Sequence, residues 1–207
     1  MRLAYSPTST RAEVEITLVD ERIDSLERLT DISIAFEVMR VFYVENSDVA
    51  GHYALVERTV DKPFIKDYDS IPGNSPRDWI NEFDLTNWGL IGAYAGGERA
   101  GTALIAHDTD GVTMLEGRKD LAVLWDLRVD PKKRRIGIGS ALFLAAEEWA
   151  AAKGCIQLKI ETQNVNVPAC RFYRMQRCRL GGIARSAYPA FPDEIQLLWY
   201  KDLHRLR

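Results

Sequence analysis

The chain has 207 residues, 46% of them hydrophobic and 28% charged, the make-up of one folded domain and not of a disordered or collagen-like chain. Its longest apolar runs, such as 141–146, fall far short of the ~18–20 residues that a bilayer-crossing helix needs, and the polar stretch 1–9 contains no signal core, so a cytoplasmic product without membrane contact is expected. The net charge of −3 is unevenly divided, −10 over residues 1–120 and +7 over 121–207, a split that suits a cationic ligand in one half and a phosphorylated one in the other.

In chain order, 14–19 reads as a strand and a short polar helix begins near Asp20. From 32 to 44 the even positions Ile32, Ile34, Phe36, Val38, Phe42 and Val44 are apolar, the period-two pattern of a long half-buried strand, broken only at Arg40. Residues 60–76, with Pro63, Pro72, Gly73 and Pro76, read as an irregular loop leading into a short helix capped by Ser75 with Pro76 in its first position. Strands at 88–94 and 98–107 flank Gly96-Gly97, a hairpin signal.

In the second half the alternation from Leu121 to Val129 marks a strand buried on at least one side. A basic turn, 130–136, precedes a helix over 137–153 in which Ile138, Leu142, Ala145, Trp149 and Ala152 form one apolar stripe, with Gly154 as its stop. A strand at 155–161, a helix at 166–176 capped by Asn166, and a last strand at 194–200 complete the pattern. Cys155, Cys170 and Cys178 are odd in number and form no C-x-x-C pair, so they read as reduced thiols. His52, His107 and His204 show no ligand spacing, and no metal is expected.

The turn Arg134-Arg135-Ile136-Gly137-Ile138-Gly139 joins a strand to a helix. Glycines there let consecutive N–H groups face one anion, and the helix N-terminus adds its dipole, so a diphosphate fits. Lys132, Lys133, Arg134 and Arg135 surround it with charge. No Lys-Ser or Lys-Thr follows, which excludes a P-loop. A dinucleotide fold is disfavoured by Leu142 in the third glycine position and by the seven residues separating the strand from Gly137. The basic run lacks an aromatic platform and the chain is acidic overall, which disfavours nucleic acid as a partner.

A strand, R-x-x-G-x-G from Arg134 to Gly139, an amphipathic helix, a strand ending in Glu161, and N-x-x-A-x-x-F-Y from Asn166 to Tyr173 follow in an order that closely resembles the GNAT superfamily of acetyl-CoA-dependent N-acetyltransferases, over roughly 121–200. Within it, the run from Glu161 to Tyr173 and the ending E-I-Q-L-L-W-Y from Glu194 look most like the streptothricin acetyltransferases. The resemblance implies an α/β fold: a mixed, mostly antiparallel central sheet with a splayed central strand pair, flanked by helices. It implies a single acetyltransferase domain over 1–207, with an acceptor-side part at about 1–120 and an acetyl-CoA part at about 121–200.

By the same resemblance Arg134, Arg135, Gly137, Ile138, Gly139 and Ser140 wrap the pyrophosphate of acetyl-CoA. Leu127, Arg128 and Val129 pair with its pantetheine arm and turn an N–H toward the thioester carbonyl. Asn166, Phe172 and Tyr173 complete the cofactor set. Tyr173 is implied as the general acid, with Glu161 or Asp126 as the base; either carboxylate is alternatively an ion-pair partner of Arg128 or Lys159. The expected activity is direct acetyl transfer to a primary amine of a cationic small molecule, streptothricin first, which carries a β-lysine chain. Asp61, Asp67, Asp69, Asp78, Glu82 and Asp84 would offer it an acidic face. Another amine acceptor, such as a protein N-terminus, a lysine side chain or a polyamine, and a non-catalytic acyl-CoA-binding module are the alternatives. Arg177 and Cys178 stand where the superfamily usually has Gly-Phe, which leaves the chain path after that helix open, and a homodimer is also left open.

Overall fold

The structure, a computed structural model, describes residues 15–46 and 53–203; Val14 of the expected first strand, His52 and His204 lie outside them. A seven-stranded sheet has the order β1-β4-β5-β6-β7-β9-β8. Its strands are β1 (Ile16–Glu21), β4 (Gly89–Ala95), β5 (Glu98–His107), β6 (Leu121–Val129), β7 (Gln157–Gln163), β8 (Arg179–Ala184) and β9 (Gln196–Asp202). Every neighbouring pair is antiparallel except β6 and β7. The mixed, mostly antiparallel sheet is therefore as expected, and the one parallel pair is made by the crossover through α2 (Ile138–Ala152). Among the described residues no helix is long and apolar enough to cross a membrane.

Both faces of the sheet centre are covered. On one, α2 packs Ile138, Leu142, Phe143, Ala146 and Ala150 against Ile91, Ala103, Ile105, Ala122 and Leu124. On the other, a 3₁₀ segment (Ile23–Asp31) and α1 (Pro76–Glu82) bring Leu26, Leu29 and Trp79 onto Leu90, Leu104 and Val123. Strands buried on two faces read as continuous apolar runs, which is why β4 to β6 were so visible. The α2 stripe is shifted from the expected one: Phe143, Ala146 and Ala150 are buried, Ala145 and Trp149 are partly so, and Ala152 is exposed. The cause lies in the sheet, where Gly101 admits Ile138 and Leu142, and Gly89 admits the Trp149 indole within 2.4 Å of where a Cβ would stand. These two glycines set how closely the helix lies.

The expected loop at 60–76 is half wrong. β2 (Phe36–Asn46) and β3 (Tyr53–Lys66) form a separate two-stranded sheet, so the strand continues through Pro63 to Lys66. The register jumps from Val38 opposite Phe64 to Arg40 opposite Thr59, which leaves 60–63 out of the ladder. Pro63 has no N–H to donate and is tolerated in that bulge. Arg40, which breaks the alternation, is exposed beside this bulge and its Nη1 donates to Glu57 at 2.7 Å. Residues 32–35 precede the strand and are not part of it. Asn164 joins this ribbon to the main sheet: its Nδ2 donates to the Phe42 carbonyl at 3.1 Å, and its Oδ1 accepts from the Ile195 N–H at 2.8 Å.

β8 had no counterpart in the sequence reading. It follows α3 (Val167–Met175) through Arg177, whose φ of +63° is the left-handed conformation that glycine adopts most easily. The Cys178 N–H then bonds the Tyr173 carbonyl at 3.0 Å and the Cys178 side chain is buried. The Arg177-Cys178 pair thus closes the helix with the turn that a Gly-Phe pair would make. All three cysteines are free and buried.

Candidate acetyl-transfer site

β6 and β7 are paired only from Leu121 opposite Gln157 to Leu124 opposite Ile160. Beyond that point β6 stays on β5, with Leu127 opposite Ala103 and Val129 opposite Gly101, while Glu161, Thr162 and Gln163 of β7 stay on β9. The strands therefore part, and Trp125–Val129 turns an unpaired edge into a wedge. Unpaired backbone N–H and C=O groups in such a place are ready to pair with an amide-bearing chain. The expected splay is present, and Leu127, Arg128 and Val129, the residues expected to meet the cofactor, lie on it.

The turn leaving β6 is exposed and basic. Gly137 has φ +99° and Arg135 φ +70°, and Gly137, the residue before α2, has no side chain to cap the helix, so among the described residues no side chain takes up the first-turn N–H groups of Ile138, Gly139 and Ser140. A Cβ on Gly139 would stand 3.4 Å from Phe172, so that ring closes the wall beside the turn. Arg134 and Arg135 are exposed, with Arg134 Nε donating to the Val129 carbonyl at 3.2 Å. Ser140 Oγ accepts from Gln176 Nε2 at 3.0 Å. Charge, free N–H groups and an open backbone fit a diphosphate.

The wedge opens into a cavity of about 500 Å³. Asp126, Leu127 and Arg128 line it from β6, Glu161 from β7, and Asn166, Ala169 and Tyr173 from the loop and helix that follow. Asn166 Oδ1 accepts from the Ala169 N–H at 3.2 Å, the expected helix cap. Tyr173 is buried against Phe143 and Phe172, with ring centroids 5.9 and 5.2 Å away, and its hydroxyl has no hydrogen-bond partner among the described residues. Burial, reinforced by the charge of Asp126, pushes its pKa well above that of an ordinary tyrosine.

The two expected carboxylates differ. Asp126 is an ion-pair partner: Arg128 Nε and Nη2 donate to it at 2.9 and 2.8 Å. The same guanidinium donates to Asp69 at 2.6 and 2.8 Å and points toward the Leu29 and Ile32 carbonyls. Burial raises the Asp126 carboxyl pKa and the Arg128 charge pulls against it, with the net shift upward. Burial works against the Arg128 charge as well, but Asp126 and Asp69 outweigh it and hold its pKa up. Glu161 is not paired with Lys159, which bonds Glu116 instead. It accepts from Tyr188 Oη at 2.5 Å and Gln196 Nε2 at 2.7 Å.

Of the expected acidic face only Asp69 lines the cavity. Asp78 closes α1 by accepting from the Ser75 N–H and Oγ, Asp84 holds a turn through Thr86, and Asp61 and Glu82 are exposed elsewhere. Acidic residues this common in loops serve the loops first. The cavity draws its acidity from Asp69, Asp126, Glu161 and Glu194, set among Tyr68, Trp79, Trp125, Tyr188 and Phe191. Tyr68, Tyr188 and Phe191 come from irregular segments, where no period marks a residue as facing inward, and sequence reasoning missed them. By its sequence Glu194 only opens the last expected strand, which in the structure begins two residues later at Gln196.

Residues 39–176 match the acetyltransferase (GNAT) family model. Streptothricin acetyltransferase A of Bacillus subtilis is 36% identical over 81 residues, a match that spans 38% of this chain and 47% of that protein, so it covers about half of that relative's length. The streptothricin acetyltransferase of Escherichia coli is 28% identical over 90% of this chain and 95% of its own. A Bacillus anthracis protein solved with acetyl coenzyme A superposes with a TM-score of 0.73 at 22% identity, over 91% of this chain and 100% of that one, and shares the fold.

Proposed function

Because this chain belongs to the acetyltransferase (GNAT) family, in which acetyl-CoA is the acetyl donor and an amine the acceptor, we propose that its acceptor is a polycationic amine of the streptothricin type, held in the cavity beside the β6–β7 wedge. The observation that carries this reading is the lining: four carboxylates and a ring of aromatic side chains, with Arg128 as the one cation lining it among the described residues. An ammonium is attracted by carboxylates and by aromatic faces alike. The full-length likeness to streptothricin acetyltransferases supports the same acceptor.

Acetyl-CoA, when bound, supplies an acetyl group activated as a thioester. The exposed turn holds its pyrophosphate through Arg134, Arg135 and the N–H groups of Gly137, Ile138, Gly139 and Ser140. The free edge at Leu127–Val129, Asn166 and Phe172 orient its arm. Arg128 takes part through its backbone, since its side chain is wholly engaged by Asp126 and Asp69. Tyr173, a phenol protonated at neutral pH like any tyrosine, lines the cavity beside the wedge and is placed to give its proton to the departing thiolate. Glu161 faces the cavity with its oxygens oriented by Tyr188 and Gln196, and it takes the proton from the acceptor ammonium. Asp126 acts as a positioning residue through Arg128.

The acceptor reading is tested by titrating streptothricin calorimetrically into protein saturated with CoA, which cannot donate. One-site binding is expected, weakened about tenfold or more in Glu161→Gln, since a charge-assisted contact is worth roughly 1.5–3 kcal/mol. Binding that this substitution leaves unchanged would place the acceptor elsewhere.

A further inference from the structure

Directly behind the cavity wall the protein buries one ammonium of its own. Lys66, the last residue of β3, is 8% exposed, and its Nζ is bonded to Glu194 Oε1. That nitrogen lies 3.5 Å from the centroid of the Phe191 ring and 4.9 Å from that of Tyr68. Tyr68 Oη donates to the other Glu194 oxygen at 3.0 Å. Glu194, Phe191 and Tyr68 all line the cavity, and Lys66 stands behind them. A carboxylate and two aromatic faces around one primary ammonium make a complete alkylammonium site. Burying a lysine costs more than an exposed ion pair returns, so stability alone is a poor reason for it.

We propose that Lys66 is a specificity-determining residue: a tethered alkylammonium that fills a second amine site at Glu194 and thereby keeps a second cationic group of the acceptor out of that end of the cavity. The acceptor ammonium is left with the Glu161 end, where Tyr188 and Gln196 arrange the carboxylate. This deepens the polycationic-amine reading and rests on it for its meaning in catalysis, although the site itself is tested without any acetyl transfer.

Lys66→Ala removes the tether and leaves a space shaped for n-propylammonium. Thermal melts of Lys66→Ala without acetyl-CoA are expected to show a saturable stabilisation by n-propylammonium chloride, absent with n-propanol, absent in the wild type and absent in Lys66→Ala/Glu194→Gln. Equal responses in Lys66→Ala and wild type overturn the proposal. If Lys66→Ala does not fold, Lys66→Met retains the apolar stem and frees Glu194. In that variant inhibition of streptothricin acetylation by 1,4-diaminobutane is expected to strengthen about tenfold or more relative to n-butylamine, with Lys66→Arg keeping the wild-type ratio. An unchanged ratio in Lys66→Met overturns it as well. A wild type that acetylates no streptothricin would remove the acceptor reading while the melts still decide the site.

Discussion

Tyr173→Phe is expected to lower kcat by about 10²- to 10³-fold while leaving the KM for acetyl-CoA within about threefold of the wild type. The substitution deletes one oxygen and keeps the ring that packs on Phe143 and Phe172. Because that oxygen has no hydrogen-bond partner among the described residues, its loss leaves no donor or acceptor stranded, and the melting temperature should stay close to the wild-type value. A hydroxyl that lines the cavity without a protein partner and is held protonated has a clear chemical use and little structural one. Steady-state kinetics with both substrates varied, together with a melt of each protein, separate the two. Unchanged kcat would remove Tyr173 as the proton donor.

The largest stability effect is expected at Arg128. Its side chain is 0% exposed and joins Asp126 on β6 to Asp69 in the loop that forms the far cavity wall. Arg128→Ala leaves two carboxylates facing each other without a cation, and breaking a buried pair from one side costs roughly 3–5 kcal/mol, on the order of 10 °C in Tm for a chain of this length. The loss should depend on pH. Burial holds the folded-state pKa of Asp126 above its unfolded value, so the folded state takes the proton more readily. Its contribution is therefore most favourable below the unfolded pKa and declines as pH rises toward the folded one. Without Arg128 nothing opposes that rise, and the deficit should narrow as pH falls from about 8 to about 5. Denaturant melts at both pH values check this. A deficit equal at both would show that Asp126 is not the stranded charge.

The parts of this fold that were legible in the sequence are those with a period or a fixed offset. The alternation of Leu121–Val129, the Gly96-Gly97 turn, the Asn166 cap and the glycine turn before α2 each came through at the right residues. The residues proposed for the acetyl-CoA side also lie in one contiguous stretch, from β6 to α3, which is why a local motif could name them. The acceptor side is assembled differently. Asp69 comes from the segment before α1, while Tyr188, Phe191 and Glu194 share the distant connection between β8 and β9, and these parts are held in place by contacts such as Arg128 with Asp69 and Lys66 with Glu194. No local spacing records a pairing across 128 residues. β8 was hidden for another reason: its glycines, Gly181 and Gly182, admit the Tyr200 ring and Leu198 of β9 and carry no apolar side chain of their own.

Glu161 and Asp126 were equivalent as sequence and are distinct as structure. Each was expected to be either a base or an ion-pair partner. Asp126 has the guanidinium, and Glu161 has a phenol and two amides. The proposed division of work, with Glu161 meeting the amine and Asp126 holding Arg128, follows from that difference in partners.

The most direct test of the account is the mass of the product formed when purified protein, acetyl-CoA and streptothricin are mixed, followed alongside the thiol released. The account predicts stoichiometric thiol release and streptothricin heavier by one acetyl group, with Tyr173→Phe forming the same product far more slowly. Thiol release without acetylated streptothricin, or none at all from a protein that binds both ligands, would contradict it.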